Sequence, residues 1–300
     1  MKLIVSSYNQ NIEALSLLYI DMSSKSYKIL DQVKLYEPSF VTRNNEYIFT
    51  YTKNDLELLA FKIDNDKLIL VDKISVALNT LTHLSFNSKN NTLYGASYLD
   101  GAMVKCEFIN EKFNNLIIKK EGGKCHQIIC NDTLDRVLVV NIEFDMLSIY
   151  DLDFNLIEVI NLPPKTGPRH AYWNKDIIYV VTEYSNELFK IENCKLASRV
   201  KTIKEDVKSN CATLLVDDNY IYVSNRGEET IARIEYKDKL KLNSSLNVYG
   251  NHSRHMIFDE TKNYIISFNK ISNNISIIDK LTNELIMNIP YNNCSCGVVI

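Results

Sequence analysis

Glycine and proline are scarce in this chain, 8 and 5 among 300 residues. Set against abundant Lys, Asn and Ile, that scarcity reads as a compositional bias, and it weakens the usual turn signals. An excess of charge is missing too. Lys and Arg number 34 against 37 Asp and Glu, a net charge of −3, which gives no reason to expect nucleic acid or an acidic membrane surface as partner. No stretch approaches the ~18 uninterrupted apolar residues of a membrane helix. The opening MKLIVSSYNQ lacks the apolar core of a signal peptide. The seven cysteines are odd in number and contain no pair of C-x-x-C clusters, so no metal site is expected. Reduced thiols in the cytoplasm are the simplest reading. G-x-S-x-G is absent, so no nucleophile elbow is expected. Nowhere does a 3.6-residue apolar period persist for three turns.

What is present is a repeat. Apolar residues make up 46% and charged residues 24%, as in a folded soluble protein. Seven short segments stand ahead of turns: EPSFVT (37–42), LTHLSF (81–86), KCHQII (124–129), PRHAYW (168–173), NCATLL (210–215), SRHMIF (253–258) and CSCGVV (294–299). With Ser39, His83, His126, His170, Ala212, His255 and Gly297 equivalent, the steps are 44, 43, 44, 42, 43 and 42 residues. Each segment leads into a second run dense in Ile, Val, Tyr and Phe, such as KDIIYVVTE. A third follows, such as NELFKIEN, and then a weaker fourth, such as KLILVDKI (67–74). Four antiparallel strands repeated seven times predict an all-β, seven-bladed β-propeller, one domain over residues 1–300. LIVSSYN (3–9) resembles a second strand, and its missing first strand is CGVVI (296–300). The C-terminal strand is therefore expected to join the N-terminal blade and close the ring, hiding two open edges. A ring closed in this way needs no partner, so a monomer is expected.

In such a meander the start of strand one and the end of strand two share a face near the central channel. The anchors bring His83, His126, Arg169, His170, Arg254 and His255 there. The second-strand ends bring Tyr98, Asn141, Glu143, Glu183, Asn186, Asn225, Arg226, Asn269 and Lys270. His83, His170 and His255 have a structural reading as ties between blades, and His252 reads as a surface residue. The arginines are harder to place structurally, because arginine is rarely buried without a partner. Arg169, Arg226 and Arg254, from blades 5 to 7, would repel one another unless an anion binds or carboxylates intervene. Glu183 is the carboxylate among them, as ion-pair partner of Arg169 or as general base or acid. Guanidinium forks suit carboxylate or phosphate oxygens. The set fits a small anionic ester or lactone, with Arg226, Asn186, Asn225, His170 and His255 as binding residues.

Beyond this reading, the chain resembles a known family. The pieces are PSF (38–40), THLSF (82–86), GASYLDGAMVKCEF (95–108), HQ (126–127), GPRH (167–170), TEYSNEL (182–188), YIYVSNRGEETIARIEY (220–236) and SRHMIFDETKNYIISFN (253–269). Together they resemble the seven-bladed propeller lactonases, the group of 6-phosphogluconolactonase and carboxy-cis,cis-muconate cyclase. The resemblance implies a catalytic cluster at His126, Arg169, Glu183 and Arg254 with Arg226 close by, and no metal or other cofactor. It implies hydrolysis of a sugar-phosphate lactone such as 6-phosphogluconolactone, with His126 or Glu183 as the base. The alternatives are lactonising or cyclising a carboxylated muconate, or a non-catalytic propeller that binds a protein or small anion. The chain departs from the family pattern at TYTKND in blade 2, in the run around KCHQ, and at Lys270.

Overall fold

The computed structural model describes residues 1–204 and 207–300. The described residues form twenty-eight strands and no helix, in seven four-stranded antiparallel sheets. Blade 1 is Cys294–Val299, Lys2–Ser7, Gln10–Asp21 and Ser26–Tyr36, in that order across the sheet. Blade 2 is Val41–Arg43, Tyr47–Thr52, Glu57–Asp64 and Lys67–Ser75; blade 3 is Leu81–Asn87, Thr92–Ser97, Ala102–Ile109 and Lys112–Lys120. Blade 4 is Cys125–Asn131, Arg136–Asn141, Met146–Asp151 and Leu156–Asn161; blade 5 is Pro168–Asn174, Ile177–Thr182, Glu187–Glu192 and Lys195–Lys201. Blade 6 is Asn210–Val216, Tyr220–Arg226, Thr230–Glu235 and Lys241–Asn247; blade 7 is Ser253–Phe258, Tyr264–Asn269, Asn274–Asp279 and Leu285–Pro290. This is the seven-bladed β-propeller that the repeat predicts. The expected closure is present: Cys294–Val299 pairs with Lys2–Ser7, and Ser6 Oγ lies 2.9 Å from Ser295 Oγ.

Second strands such as Thr92–Ser97 and Ile177–Thr182 are buried on both faces. That is why their sequences run continuously apolar instead of alternating. Fourth strands such as Lys195–Lys201 are mostly exposed. With so few glycines, left-handed turn positions fall to other residues, among them Asn65, Asn91, Asn110, Asn273 and Asn283. Asparagine is the side chain that tolerates this conformation most readily.

The chain divides into two compact units, Met1–Val139 with Asn292–Ile300, and Val140–Tyr291. The first has an aromatic core. Phe49 stacks on Phe86 at 4.9 Å and meets the edge of Phe108 at 5.1 Å, and Phe108 in turn packs on Phe113. Each such ring contributes about 1.5–3 kcal/mol on burial. Its outer strands are clasped in a repeated way. Asp31 accepts Lys67 Nζ at 3.0 Å and Leu68 N at 2.8 Å, and Asp72 accepts Lys112 Nζ at 3.0 Å and Phe113 N at 2.8 Å.

The second unit buries Tyr179, Val181, Leu188, Ile221 and Val223 around Ala232. Asp217 is locked by Lys280 Nζ at 2.6 Å and by the N–H groups of Asn219 and Tyr220. All seven fourth strands carry a register shift against the third, with residues such as Leu30, Val71, Ile157, Ala197, Asn243 and Ile286 inserted.

Candidate active site

The second unit assembles the arginine cluster, beginning with the turn before Arg169. Asp145 accepts the backbone N–H of Lys165 at 2.7 Å, Thr166 at 3.0 Å and Gly167 at 2.7 Å, which fixes the approach. Gly167 is left-handed (φ +64), and a Cβ there would meet the Tyr184 ring at 2.4 Å. Only glycine serves at this point. Pro168 then pairs with Thr182 and His170 with Val181, so Arg169 is the inserted residue of a β-bulge. Bulges re-aim a side chain, and this one turns Arg169 to Glu183, whose own N–H is held by Gly167 O at 2.6 Å.

Glu183 Oε2 forms ion pairs with two guanidiniums, lying 2.9 Å from Arg169 Nε and 2.9 Å from Arg226 Nη2. Arg226 ends the second strand of blade 6, where Gly227 (φ +114) leaves no room for a Cβ against Lys208 O. Three successive carbonyls of blade 6 take further guanidinium N–H groups. Arg226 donates from Nε to Asn210 O at 3.3 Å and from Nη2 to Cys211 O at 2.9 Å, and Arg169 Nη1 donates to Ala212 O. These carbonyls can converge because the inner strand of blade 6 is itself irregular between Cys211 and Leu214. The side chains of Arg169 and Arg226 are 3% and 7% exposed and that of Glu183 is 20%. Buried charges of this kind require their partners.

Blade 7 repeats the device. Ser253 pairs with Asn269 and His255 with Phe268, leaving Arg254 as the inserted residue. Lys270 follows that pair, its N–H donated to His252 O at 3.1 Å. Glu229 ties the two blades, accepting the N–H of Gly227 at 3.1 Å and of His252 at 2.7 Å. Burial first, then Arg169 and Arg254, push His255 down to about 3. Burial, then Arg226, Arg254, Lys270 and Arg169, push His252 down to about 4. Both imidazoles are thus neutral at physiological pH. His252, expected at the surface, is partly buried near Arg226, Arg254, Lys270 and Arg169, and its backbone is left-handed (φ 64).

Other residues have internal partners. His170 is buried, with Nδ1 3.2 Å from Thr213 Oγ1 and its ring 6.1 Å from that of His255. The tie expected of an anchor histidine is the one seen. Asn186 and Asn225, expected among the binding residues, spend their amides inside the protein. Asn186 donates to Ser209 O at 2.9 Å. Asn225, 0% exposed, accepts Thr202 Oγ1 at 2.8 Å and donates to Thr202 O at 3.1 Å. Both brace the strand that carries the carbonyls.

His126 belongs to the first unit. It is buried, with the Tyr98 ring edge-on at 5.8 Å and its carbonyl accepting Thr82 Oγ1 at 3.0 Å. Nearby His83 packs on Phe40 at 4.3 Å and lies 3.3 Å from Gln127 Nε2. Sequence reasoning missed the carbonyls of residues 210–212, since backbone acceptors leave no mark in side-chain identity. It also passed over Gly167 and Gly227, which flank the two arginines and, in a chain so poor in glycine, were a usable signal. Among the described residues no group of three His, Cys, Asp or Glu could hold a metal ion.

The chain is similar to known proteins over most of its length. The 6-phosphogluconolactonase of Bacillus subtilis is 22% identical over 85% of this chain and 98% of its own length. The 6-phosphogluconolactonase of Buchnera aphidicola is 22% identical over 94% of this chain and 92% of its own. In fold alone, the periplasmic gluconolactonase of Pseudomonas aeruginosa superposes with a TM-score of 0.88 at 14% identity, covering 99% of this chain and 98% of that one. The model of the family described as "Lactonase, 7-bladed beta-propeller" matches residues 2–285, and the chain belongs to that family.

Proposed function

We propose that this protein hydrolyses the lactone of a phosphorylated sugar acid, 6-phosphogluconolactone being the first substrate to test. The observation that carries the reading is the buried Arg169–Glu183–Arg226 cluster, with Arg254 supplied by the neighbouring blade. A water oxygen adds to the lactone carbonyl, and the guanidiniums stabilise the oxyanion that develops there. The ring C–O bond then breaks, leaving a hydroxyl at the former ring oxygen and, at the former carbonyl, a carboxylic acid that releases its proton to solvent.

Glu183 takes the proton from the attacking water and returns it to that leaving oxygen. Its Oε2 is engaged by both arginines, and the side chain is 20% exposed, so a water can reach the carboxylate. Of the two candidate bases, Glu183 rather than His126 is favoured by this direct contact with the arginines. Work in a reducing compartment belongs to the same proposal; among the described residues the seven cysteines form no disulfide.

The test is the rate of lactone opening above the spontaneous background, with freshly generated 6-phosphogluconolactone coupled to phosphogluconate dehydrogenase. Glu183→Gln is expected to lower kcat by about 10²–10⁴-fold. Wild-type protein that opens the lactone no faster than buffer would remove the assignment.

A further inference from the structure

In blades 2 to 7 the turn between the second and third strands ends on a left-handed residue. These are Leu56, Gly101, Asp145, Asn186, Glu229 and Asn273, each directly ahead of its third strand. In blades 4, 5 and 6 the side chain of that residue crosses to the next blade. Asp145 accepts the N–H groups of Lys165, Thr166 and Gly167 at 2.7, 3.0 and 2.7 Å. Asn186 Nδ2 donates to Ser209 O at 2.9 Å. Glu229 Oε2 accepts the His252 N–H at 2.7 Å. Blades 2 and 3 have Leu56 and Gly101 at this point, which carry no polar side chain.

The three tethers coincide with the three anchors that build the site. Gly167 stands two residues ahead of Arg169, Ser209 directly ahead of the carbonyls of residues 210–212, and His252 two residues ahead of Arg254. Glu229 differs in holding both sides. Its Oε1 accepts the N–H of Gly227 at 3.1 Å, and Gly227 follows Arg226. One carboxylate thus spans the backbone beside Arg226 and the backbone that leads to Arg254, and both of its bonds are charge-assisted. Rate depends steeply on the placing of guanidiniums that stabilise one oxyanion.

We propose that Asp145, Asn186 and Glu229 are positioning residues, by which blades 4, 5 and 6 each set the anchor of the next blade, and that Glu229 fixes Arg254 relative to Arg226 and thereby sets kcat. This rests on the lactonase reading above. Glu229 touches no reacting atom. Arg226 is also held by Glu183 and by the carbonyls of Asn210 and Cys211, so the effect of Glu229 passes through Arg254.

The experiment measures kcat and KM for 6-phosphogluconolactone, per folded molecule, in wild type, Glu229→Ala, Glu229→Gln, Arg254→Ala and the double variant Glu229→Ala with Arg254→Ala. Glu229→Ala is expected to lower kcat about 10–100-fold, with KM within about 3-fold of wild type. Glu229→Gln keeps a single acceptor oxygen and is expected to fall between the two. In the Arg254→Ala background, Glu229→Ala should change kcat by less than about 2-fold, because the guanidinium it places is gone. An unchanged kcat in both Glu229 variants, or the full loss repeated on top of Arg254→Ala, overturns the role. Amide hydrogen exchange at Gly227 and His252 needs no substrate and separates the two ideas. Faster exchange at both in Glu229→Gln, in a protein that opens no lactone, keeps the tether and removes the activity. Unchanged exchange removes the tether while leaving the lactonase reading intact.

Discussion

Inner and outer strands of the blades carry the same irregularity, an inserted residue, with different consequences. On the outer strands it recurs in all seven blades and falls on side chains as unlike as Val71, Ala197 and Asn243. What matters there is the backbone: a kinked edge is a poor template for pairing with another chain. On the inner strands a shift recurs in blades 1, 3, 5, 6 and 7, and there the identity of the residue at it counts. Blades 5 and 7 insert Arg169 and Arg254, blade 3 inserts Thr82, and the inner strand of blade 2 runs Val41–Arg43 without a shift. A bulge on an open edge protects; a bulge at an anchor delivers a side chain.

The sharpest way to break this comparison is at an inner bulge. Arg169→Met is expected to abolish most lactone opening, about 10²–10³-fold in kcat. It should also cost about 3–5 kcal/mol of stability, because Glu183 loses one of its two buried cation partners. Urea unfolding alongside the coupled assay checks both; a fully stable variant would show that the cluster is not held together by its charges.

Acid is the next largest perturbation. His252 and His255 accept a proton near pH 6.5 when unfolded but only near 4 and 3 when folded. Their contribution to stability is therefore complete above about pH 6.5 and is lost as pH falls toward 3, because the unfolded chain binds protons first. At pH 5 this amounts to up to about 2 kcal/mol for each histidine. Asp217 adds to the trend. Burial raises its carboxyl, but hydrogen bonds from Lys280, Asn219 and Tyr220 outweigh that and hold it below the usual range. Urea midpoints at pH 7.5 and 5 should converge in His255→Gln relative to wild type; an unchanged slope would place the acid sensitivity elsewhere.

Outer bulges should matter less to catalysis. Deleting Ala197 straightens the edge of blade 5 and is expected to cost about 1–3 kcal/mol. Turnover of the remaining folded protein should be kept, while concentration-dependent association by light scattering rises. Loss of kcat per folded molecule would mean that the outer strand sets the site. The smallest effect is reserved for the outer clasps: Asp72→Asn is expected to cost about 0.5–1 kcal/mol, since Lys112 is largely exposed.

The blade count, the closing strand and the arginine positions were legible in the sequence, because a repeat near 43 residues places equivalent residues at equivalent points of the meander. The bulges at Arg169 and Arg254 were not legible, because neighbouring residues of a strand point to opposite faces and only the ladder shows that the register shifts there. What stayed hidden depends on partners distant in sequence. Asn186 and Asn225 have the same chemistry whether they meet a substrate or Ser209 and Thr202, and only the fold decides. His252 looked like a surface residue because the cations around it, Arg226 and Arg169 among them, come from other blades.

The closing strand has a consequence in time. Ser6 Oγ donates to Cys296 O across 290 residues of chain. At ~5–20 residues per second, ~15–60 s of synthesis separate these partners. Throughout that interval Leu3, Ile4 and Val5, wholly buried in the finished protein, sit on a strand with one open edge. The nascent protein therefore spends most of its birth with an unlatched first blade, and any factor that shelters emerging chains meets it in that form.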